Sequence, residues 1–361
     1  MEKKVVKNFS RKMASVLPKD IMRLLKDIGV IANSLGYSAF VVGGLVRDAL
    51  LGAKNLDLDI VVEGDAIKLG HTLSKKIDAA LAVHRRFGTC TVITKDRLKI
   101  DIATARKEVY LKPAALPIPE SSCLKDDLAR RDFTINAMAI SINQNSFGQL
   151  IDFYGGEQDL HYGRIKVMHD KSFIDDPTRM FRAIRFETRL GFYLDGRTLR
   201  LLKKAARNGM PAKVSRERIR NELILVFKEK NKVKPLKRLA ELDVLRFVHP
   251  ELKFGKGLTA LLISIEENLR RRKFSGFSNI AVDEWLIYLM ALFDTLSYNA
   301  TLALCNSFSL RREDKSKIMS LKNGRGLAIS KKLSQEAMIF TMAKSKEIIW
   351  VRKDLKGCRR R

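Results

Sequence analysis

Residues 40–52 read Phe40-Val41-Val42-Gly43-Gly44-Leu45-Val46-Arg47-Asp48-Ala49-Leu50-Leu51-Gly52, and Asn55-Leu56-Asp57-Leu58-Asp59 follows two residues later. The aromatic and branched residues at 40–42 end a strand. Gly43-Gly44 then let the backbone turn and approach a ligand with no side chain in the way. Residues 45–51 predict a short helix closing at Gly52, whose positive N-terminal end and Arg47 would both face a phosphate. Residues 56–62 predict a second strand. Its period-2 alternation sets Asp57 and Asp59 on one face and Leu58, Ile60 and Val62 on the other. Like charges so close repel unless a cation lies between them, so the pair points to metal binding.

Taken singly, Gly-Gly is an ordinary turn and Asp-x-Asp an ordinary solvated loop. Their order is more specific: Gly-Gly, Arg47 three residues after Gly44, then Asp57 and Asp59 about ten residues on. This string resembles the nucleotidyltransferase superfamily that includes DNA polymerase β. More closely, it is similar to the bacterial class II tRNA nucleotidyltransferases (CCA-adding enzymes) and their poly(A) polymerase relatives. The resemblance covers about residues 36–295. It implies an α+β chain: a polymerase-β-like nucleotidyltransferase head (mixed sheet with helices), then an all-helical neck, body and tail. The expected spans are 1–160 for the catalytic head, 161–225 for a neck carrying a base reader, and 226–361 for a tRNA-binding body and tail.

Composition points the same way. Lys and Arg number 69 against 40 acidic residues in 361, a net +29 and a pI near 10.1. Such an excess indicates a polyanionic partner. It is uneven: residues 1–160 hold 24 basic and 19 acidic side chains, net +5, which leaves 45 and 21, net +24, for residues 161–361. The part without the Asp pair is therefore the expected surface for a phosphate backbone. Cys90, Cys123, Cys305 and Cys358 are scattered without metal-ligand spacing, which predicts free thiols in a reducing cytosol. The N-terminus lacks a signal-type apolar core, and the apolar run at 285–293 is too short to span a bilayer. The expectation is a cytoplasmic protein with no membrane partner.

Elsewhere in the first part, periodicity predicts helices at 21–35 and 66–76, and strands at 83–87, 90–94 and 98–103. Asp101 lies between Ile100 and Ile102, so its carboxylate points away from the apolar side; the resemblance makes it a third acid beside the metal pair. Pro113, Pro117 and Pro119 rule out a continuous helix or central strand at 105–123. That stretch reads as a loop, similar to the flexible loop that the family links to adding the final A. Then comes Asp126-Asp127-Leu128-Ala129-Arg130-Arg131-Asp132-Phe133-Thr134-Ile135-Asn136-Ala137-Met138-Ala139, nearly verbatim the family's second signature. Arg131 offers a fork for phosphate or ribose oxygens and Asn136 an amide for a sugar hydroxyl. Asp132 reads as an internal partner tying the sheet to the next helix.

Beyond residue 161 the pattern turns almost purely helical. In Asp175-Asp176-Pro177-Thr178-Arg179-Met180-Phe181-Arg182-Ala183-Ile184-Arg185-Phe186, Asp176 and Pro177 suit an N-cap and N1. Arg179, Arg182 and Arg185 form a cationic row on a helix whose other faces are apolar, and arginines so placed need an anion, such as a triphosphate. The string is similar to the family's base reader. In that resemblance Asp176 and Arg179 meet the exocyclic amine and ring nitrogen shared by cytosine and adenine, which uracil and guanine reverse. Glu217 and Arg218, in a further signature-like stretch, read as braces for the helix bearing the row.

The implied reaction adds CCA, or part of it, to the tRNA 3′ end from CTP and ATP, releasing pyrophosphate. Two Mg²⁺ would be held by Asp57 and Asp59, and Gly44, Arg47, Arg131, Asn136, Arg182 and Arg185 would position the nucleoside triphosphate. The partner would be tRNA, met at its 3′ end and along the backbone of its acceptor and T arms. The wording at 175–187 is similar to C-C-adding relatives, while the loop at 105–123 belongs with A addition, so the choice stays open. A poly(A) polymerase and a non-catalytic RNA-binding protein on a transferase fold are the other readings.

Overall fold

The computed structural model describes residues 7–109, 113–114, 118–274, 282–322 and 334–345. They form two compact units, one of residues 1–175 and 192–201, the other of residues 176–191 and 202–361.

The first unit is built on a seven-stranded mixed sheet. Its strands are β1 (Ser38–Val42), β2 (Leu58–Glu63), β3 (Ala80–His84), β4 (Thr89–Ile93) and β5 (Lys99–Thr104). After a separate hairpin of β6 (Arg106–Val109) and β7 (Ile118–Ser121), β8 (Met138–Ser141) and β9 (Leu150–Asp152) complete it. The order is β3-β4-β5-β2-β1-β8-β9. Only β2 and β5 run parallel; the other pairs are antiparallel.

Pleat parity sorts the sheet's two faces. Leu58, Ile60, Val62, Ile100 and Ile102 are fully buried, on the side where helices Lys19–Ser34 and Ala66–Ile77 pack on the strands and each other. The second helix starts where Asp65 caps it, its carboxylate accepting from the N–H groups of Ile67 and Lys68 at 2.8 and 3.0 Å. Phe40, Val42, Val61 and Ala139 point the other way and form a core with Leu124 and Leu128 of helix Leu124–Ala129. Asp59 and Asp101 share that second face, because they keep the parity of Val61 and pair in register.

Two features depart from the sequence reading. The stretch 105–123 is not all loop. Its flanks pair as β6 and β7 with Glu108 opposite Pro119, a ladder that tolerates proline because it has only two strands. Residues 110–112 and 115–117 of the expected loop lie outside the described residues. The chain also does not turn purely helical at 161, since Arg164–Ile165 pairs in parallel with Tyr193–Leu194. That short ladder draws residues 192–201 back to the first unit, whose earlier stretch ends at 175.

The described part of the second unit is helical. Helices Arg179–Leu190, Arg216–Lys228 and Val233–Glu241 precede Lys256–Phe274, Glu284–Phe293, Tyr298–Ser307 and Arg312–Lys322. Residues 286–293 are all buried, and Tyr288 stacks on Phe227 with ring centroids 6.0 Å apart. Among the described residues no helix is long and apolar enough to cross a membrane. Cys90, Cys123 and Cys305 are free thiols, and burial pushes Cys90 and Cys305 up to about 11.

Candidate active site

β2 opens at Leu58, so Asp57 stands just before the strand, exposed, its N–H donating to Asn55 Oδ1 at 2.8 Å. Asp59 is half-buried in β2 and lies beside Asp101 of β5 in register. Thr91 of β4, opposite Asp101, donates its hydroxyl to Asp101 Oδ1 at 2.5 Å. Asp59, Asp101, Thr91, His84 and Arg131 line one cavity of about 380 Å³. The Asp59 carboxyl is pushed up to about 6, first by burial and then by the charges of Asp57 and Asp101, with Arg131 pulling it down. Among the described residues no three His, Cys, Asp or Glu side chains already converge as a ligand cage. The donor chemistry nevertheless fits Mg²⁺: hard carboxylate oxygens, with like charge that a divalent ion would relieve.

The glycine that clears this cavity is Gly43. Its φ of +70° is left-handed, and a Cβ there would come within 2.9 Å of Arg131 Nη1 and 3.8 Å of Asp59 Oδ2. Gly44 begins helix Gly44–Leu50; a Cβ there would lie 3.4 Å from Asn55 Nδ2 and 3.6 Å from Arg47 Nη2, ordinary contact distances. The Gly-Gly pair signalled the turn but not which residue bore the constraint.

Arg47 does not stand open toward a phosphate. It is 3 % exposed, with Nε donating to Asp48 Oδ1 at 2.8 Å and Nη1 to Asn136 Oδ1 at 2.6 Å. Asn136 in turn donates to Asp132 Oδ1 at 2.9 Å, and Asn55 donates to Asp48 Oδ2 at 2.7 Å. Arg47 and Asn136, expected to contact the nucleotide, thus brace each other inside the unit. They tie the glycine turn to the Arg131 segment because a buried guanidinium needs carboxylate and amide oxygens around it. Arg131 differs. Its Nη2 donates to Asp127 Oδ2 at 3.1 Å, while its Nε is buried without a protein partner beside Asp59. Such an orphan donor suits an incoming anion.

In the second unit, Asp176 Oδ1 accepts from the N–H and hydroxyl of Thr178 at 3.0 and 2.6 Å, and Oδ2 accepts from Arg218 Nη2 at 2.7 Å. The helix itself begins at Arg179 with Thr178 at its cap, so Asp176 closes a turn just ahead of it. Arg179 and Arg185 are buried, at 5 and 7 % exposure. Arg185 Nη1 donates to Glu229 at 3.1 Å, and Arg182 Nη1 lies 3.7 Å from Glu222. The cationic row therefore has carboxylates of its own, which the sequence reading did not assign. No local spacing could have found them, because Glu229 lies 44 residues from Arg185 along the chain.

Residues 39–166 match the family described as the poly A polymerase head domain, and residues 191–255 the probable RNA and SrmB-binding site of polymerase A. An A-adding tRNA nucleotidyltransferase of Geobacter sulfurreducens is 38 % identical over 306 residues, 85 % of this chain and 35 % of that protein. One from Halalkalibacterium halodurans is 42 % identical over 280 residues, 76 % of this chain and 65 % of its own length. A solved CCA-adding enzyme in an apo form superposes with a TM-score of 0.81 at 34 % identity, covering 94 % of this chain and 83 % of that one. This chain belongs to the class II tRNA nucleotidyltransferases. As a member of that family it spans about a third of one curated relative and about two-thirds of the other. The family's head-domain match contains the carboxylates, the Gly43 turn and Arg131, whereas Asp176 and Arg179 fall between the two matched segments.

Proposed function

We propose that this chain transfers a nucleotide from a nucleoside triphosphate to the 3′ end of tRNA, and that the nucleotide is the terminal A. The observation that carries the transfer reading is Asp59 raised to about 6 beside Asp57, Asp101 and the orphan Nε of Arg131. In the reaction, the RNA 3′-hydroxyl oxygen bonds to the α-phosphorus, the bond from that phosphorus to the bridging oxygen breaks, and pyrophosphate leaves. Held by Asp57 and Asp59, with Asp101 adjacent, two Mg²⁺ would lower the hydroxyl's pKa and neutralise the leaving group. Arg131 takes the triphosphate oxygens, and Gly43 keeps the backbone clear of them. Arg47 and Asn136 hold that arrangement from behind.

Asp176 and Arg179 are assigned base selection, accepting the amine and donating to the ring nitrogen. They exclude U and G without separating C from A. The terminal-A reading is supported by the A-adding names of both curated relatives described above. The setting is assigned to the cytoplasm, in keeping with three free thiols.

The test supplies tRNA ending in C-C with ATP, and tRNA lacking all three nucleotides with CTP. One A added to the first, with no CTP used on the second, is the expected result. CTP incorporation would overturn the terminal-A reading. Long A tracts on unstructured RNA would assign poly(A) synthesis instead.

A further inference from the structure

Asp127 has no exposed surface, yet it holds two guanidinium groups. Arg130 donates through Nε and Nη2 to its Oδ1 at 3.0 and 2.6 Å, and Arg131 donates through Nη2 to its Oδ2 at 3.1 Å. The remaining Arg130 nitrogen, Nη1, donates to Glu108 Oε1 at 2.8 Å. Glu108 belongs to β6, the strand of the two-stranded hairpin that stands apart from the main sheet. The four side chains therefore alternate in sign from the hairpin to the Asp59 cavity: Glu108, Arg130, Asp127, Arg131. Burial alone would depress Arg130, but the charges of Asp127 and Glu108 outweigh it and hold its pKa above the ordinary value.

The geometry makes Arg131 depend on Glu108. While Glu108 engages Nη1, Arg130 is satisfied with a single oxygen of Asp127, and the second oxygen is left to Arg131. Without Glu108, Arg130 turns to take both oxygens in the bidentate arrangement that guanidinium and carboxylate favour, and Arg131 loses its seat. We infer that Asp127 and Glu108 are positioning residues which, through Arg130, aim Arg131 into the Asp59 cavity and tie that aim to the pairing of the hairpin. This rests on the reading above only for what Arg131 contacts, a nucleoside triphosphate. The β6–β7 hairpin thereby becomes a control point for nucleotide affinity, although none of its described residues lines the cavity.

The full chain decides it, through CTP and ATP dissociation constants by equilibrium titration without RNA, and KM and kcat for transfer to tRNA. Glu108→Gln, Arg131→Lys and the double variant are compared. Glu108→Gln is expected to raise the nucleotide Kd and KM by about three- to thirtyfold, and to add less than about twofold in the Arg131→Lys background. The KM for tRNA should stay within about twofold of wild type. An unchanged nucleotide Kd in Glu108→Gln, or an effect that multiplies in full with Arg131→Lys, overturns the relay. Asp127→Asn leaves two half-buried arginines short of a carboxylate and should lower Tm; Glu108→Gln lies nearer the surface and keeps the test decisive. A wild-type protein that binds ATP yet transfers nothing contradicts the transfer reading, while the Kd comparison still decides the relay. A wild type that binds neither nucleotide overturns both.

Discussion

A single carboxylate shows what the site demands of the fold. Asp59 is pushed up to about 6 from an ordinary value of 3.8, so its charged form is disfavoured in the folded protein. For an acid raised in this way, the penalty is absent below about pH 4, where the group is protonated in both states. It grows from pH 4 to 6 and is fully present above 6. Two pKa units correspond to at most about 3 kcal/mol, less what solvent screening removes. Asp59→Asn should therefore raise Tm at pH 7.5 while abolishing transfer, and the Tm advantage should vanish by about pH 4. Adding Mg²⁺ should raise the Tm of the wild type and leave that of Asp59→Asn nearly unmoved. A variant that melts earlier at pH 7.5, or one still turning over within tenfold of wild type, would contradict the assignment. The base reader gives a second test at this scale. Asp176→Ala removes an acceptor and should cost about 1–3 kcal/mol of discrimination, admitting UTP and GTP. The same change also releases Arg218 and the Thr178 turn. A loss of Tm with UTP and GTP still rejected would make Asp176 a brace only.

At the level of elements, legibility followed how local the cause was. The alternation of Leu58, Ile60 and Val62 is written in the chain, because residues two apart share a face of a strand. The partners of Arg47 and Arg185 were not legible. Asn136 and Glu229 lie 89 and 44 residues away, and a guanidinium presents the same fork to a triphosphate as to a buried amide or carboxylate. The β6–β7 hairpin was missed because prolines that break a central strand are tolerated in a two-stranded ladder. The return of residues 192–201 to the first unit was not legible because it hangs on strands only two residues long. Helix packing yields a prediction at the same scale. Helix Lys19–Ser34 crosses the turn after β8 so closely that a Cβ on Gly29 would stand 1.8 Å from the carbonyl oxygen of Ile142. The obstacle is backbone, and Asn143 beyond it is fixed by accepting from the Ala39 N–H at 2.7 Å. Gly29→Ala should thus cost about 1–3 kcal/mol or more, lowering Tm by several degrees with nucleotide KM unchanged in the folded fraction. A Tm equal to wild type would show that the helix can move away.

Across the whole molecule, charge is the property that neither the sheet nor the helices require. The net +24 of residues 161–361, against +5 for residues 1–160, leaves many lysines without a carboxylate to balance them. A surface of that kind destabilises its own fold by self-repulsion, and a polyanion is what relieves it. Deleting one end of the chain is a poor test, because the first unit includes residues 192–201 and a cut at 160 would remove part of it. Charge substitution in the full chain avoids this. Lys228, Lys230 and Lys234 are exposed in the second unit, and Lys12, Lys68 and Lys75 are exposed in the first. Binding of tRNA should weaken steeply with added KCl, the slope of log K against log salt changing by about 0.9 for each phosphate neutralised. Replacing Lys228, Lys230 and Lys234 with Ser should make that slope shallower by about one for each lysine that meets a phosphate. The triple change at Lys12, Lys68 and Lys75 should alter it by much less. Both triple variants lose the same formal charge, so a difference between them reports where the RNA lies rather than how basic the protein is. Equal slopes for the two would mean that the charge acts as a diffuse field, and the assignment of the RNA backbone to the second unit would fail.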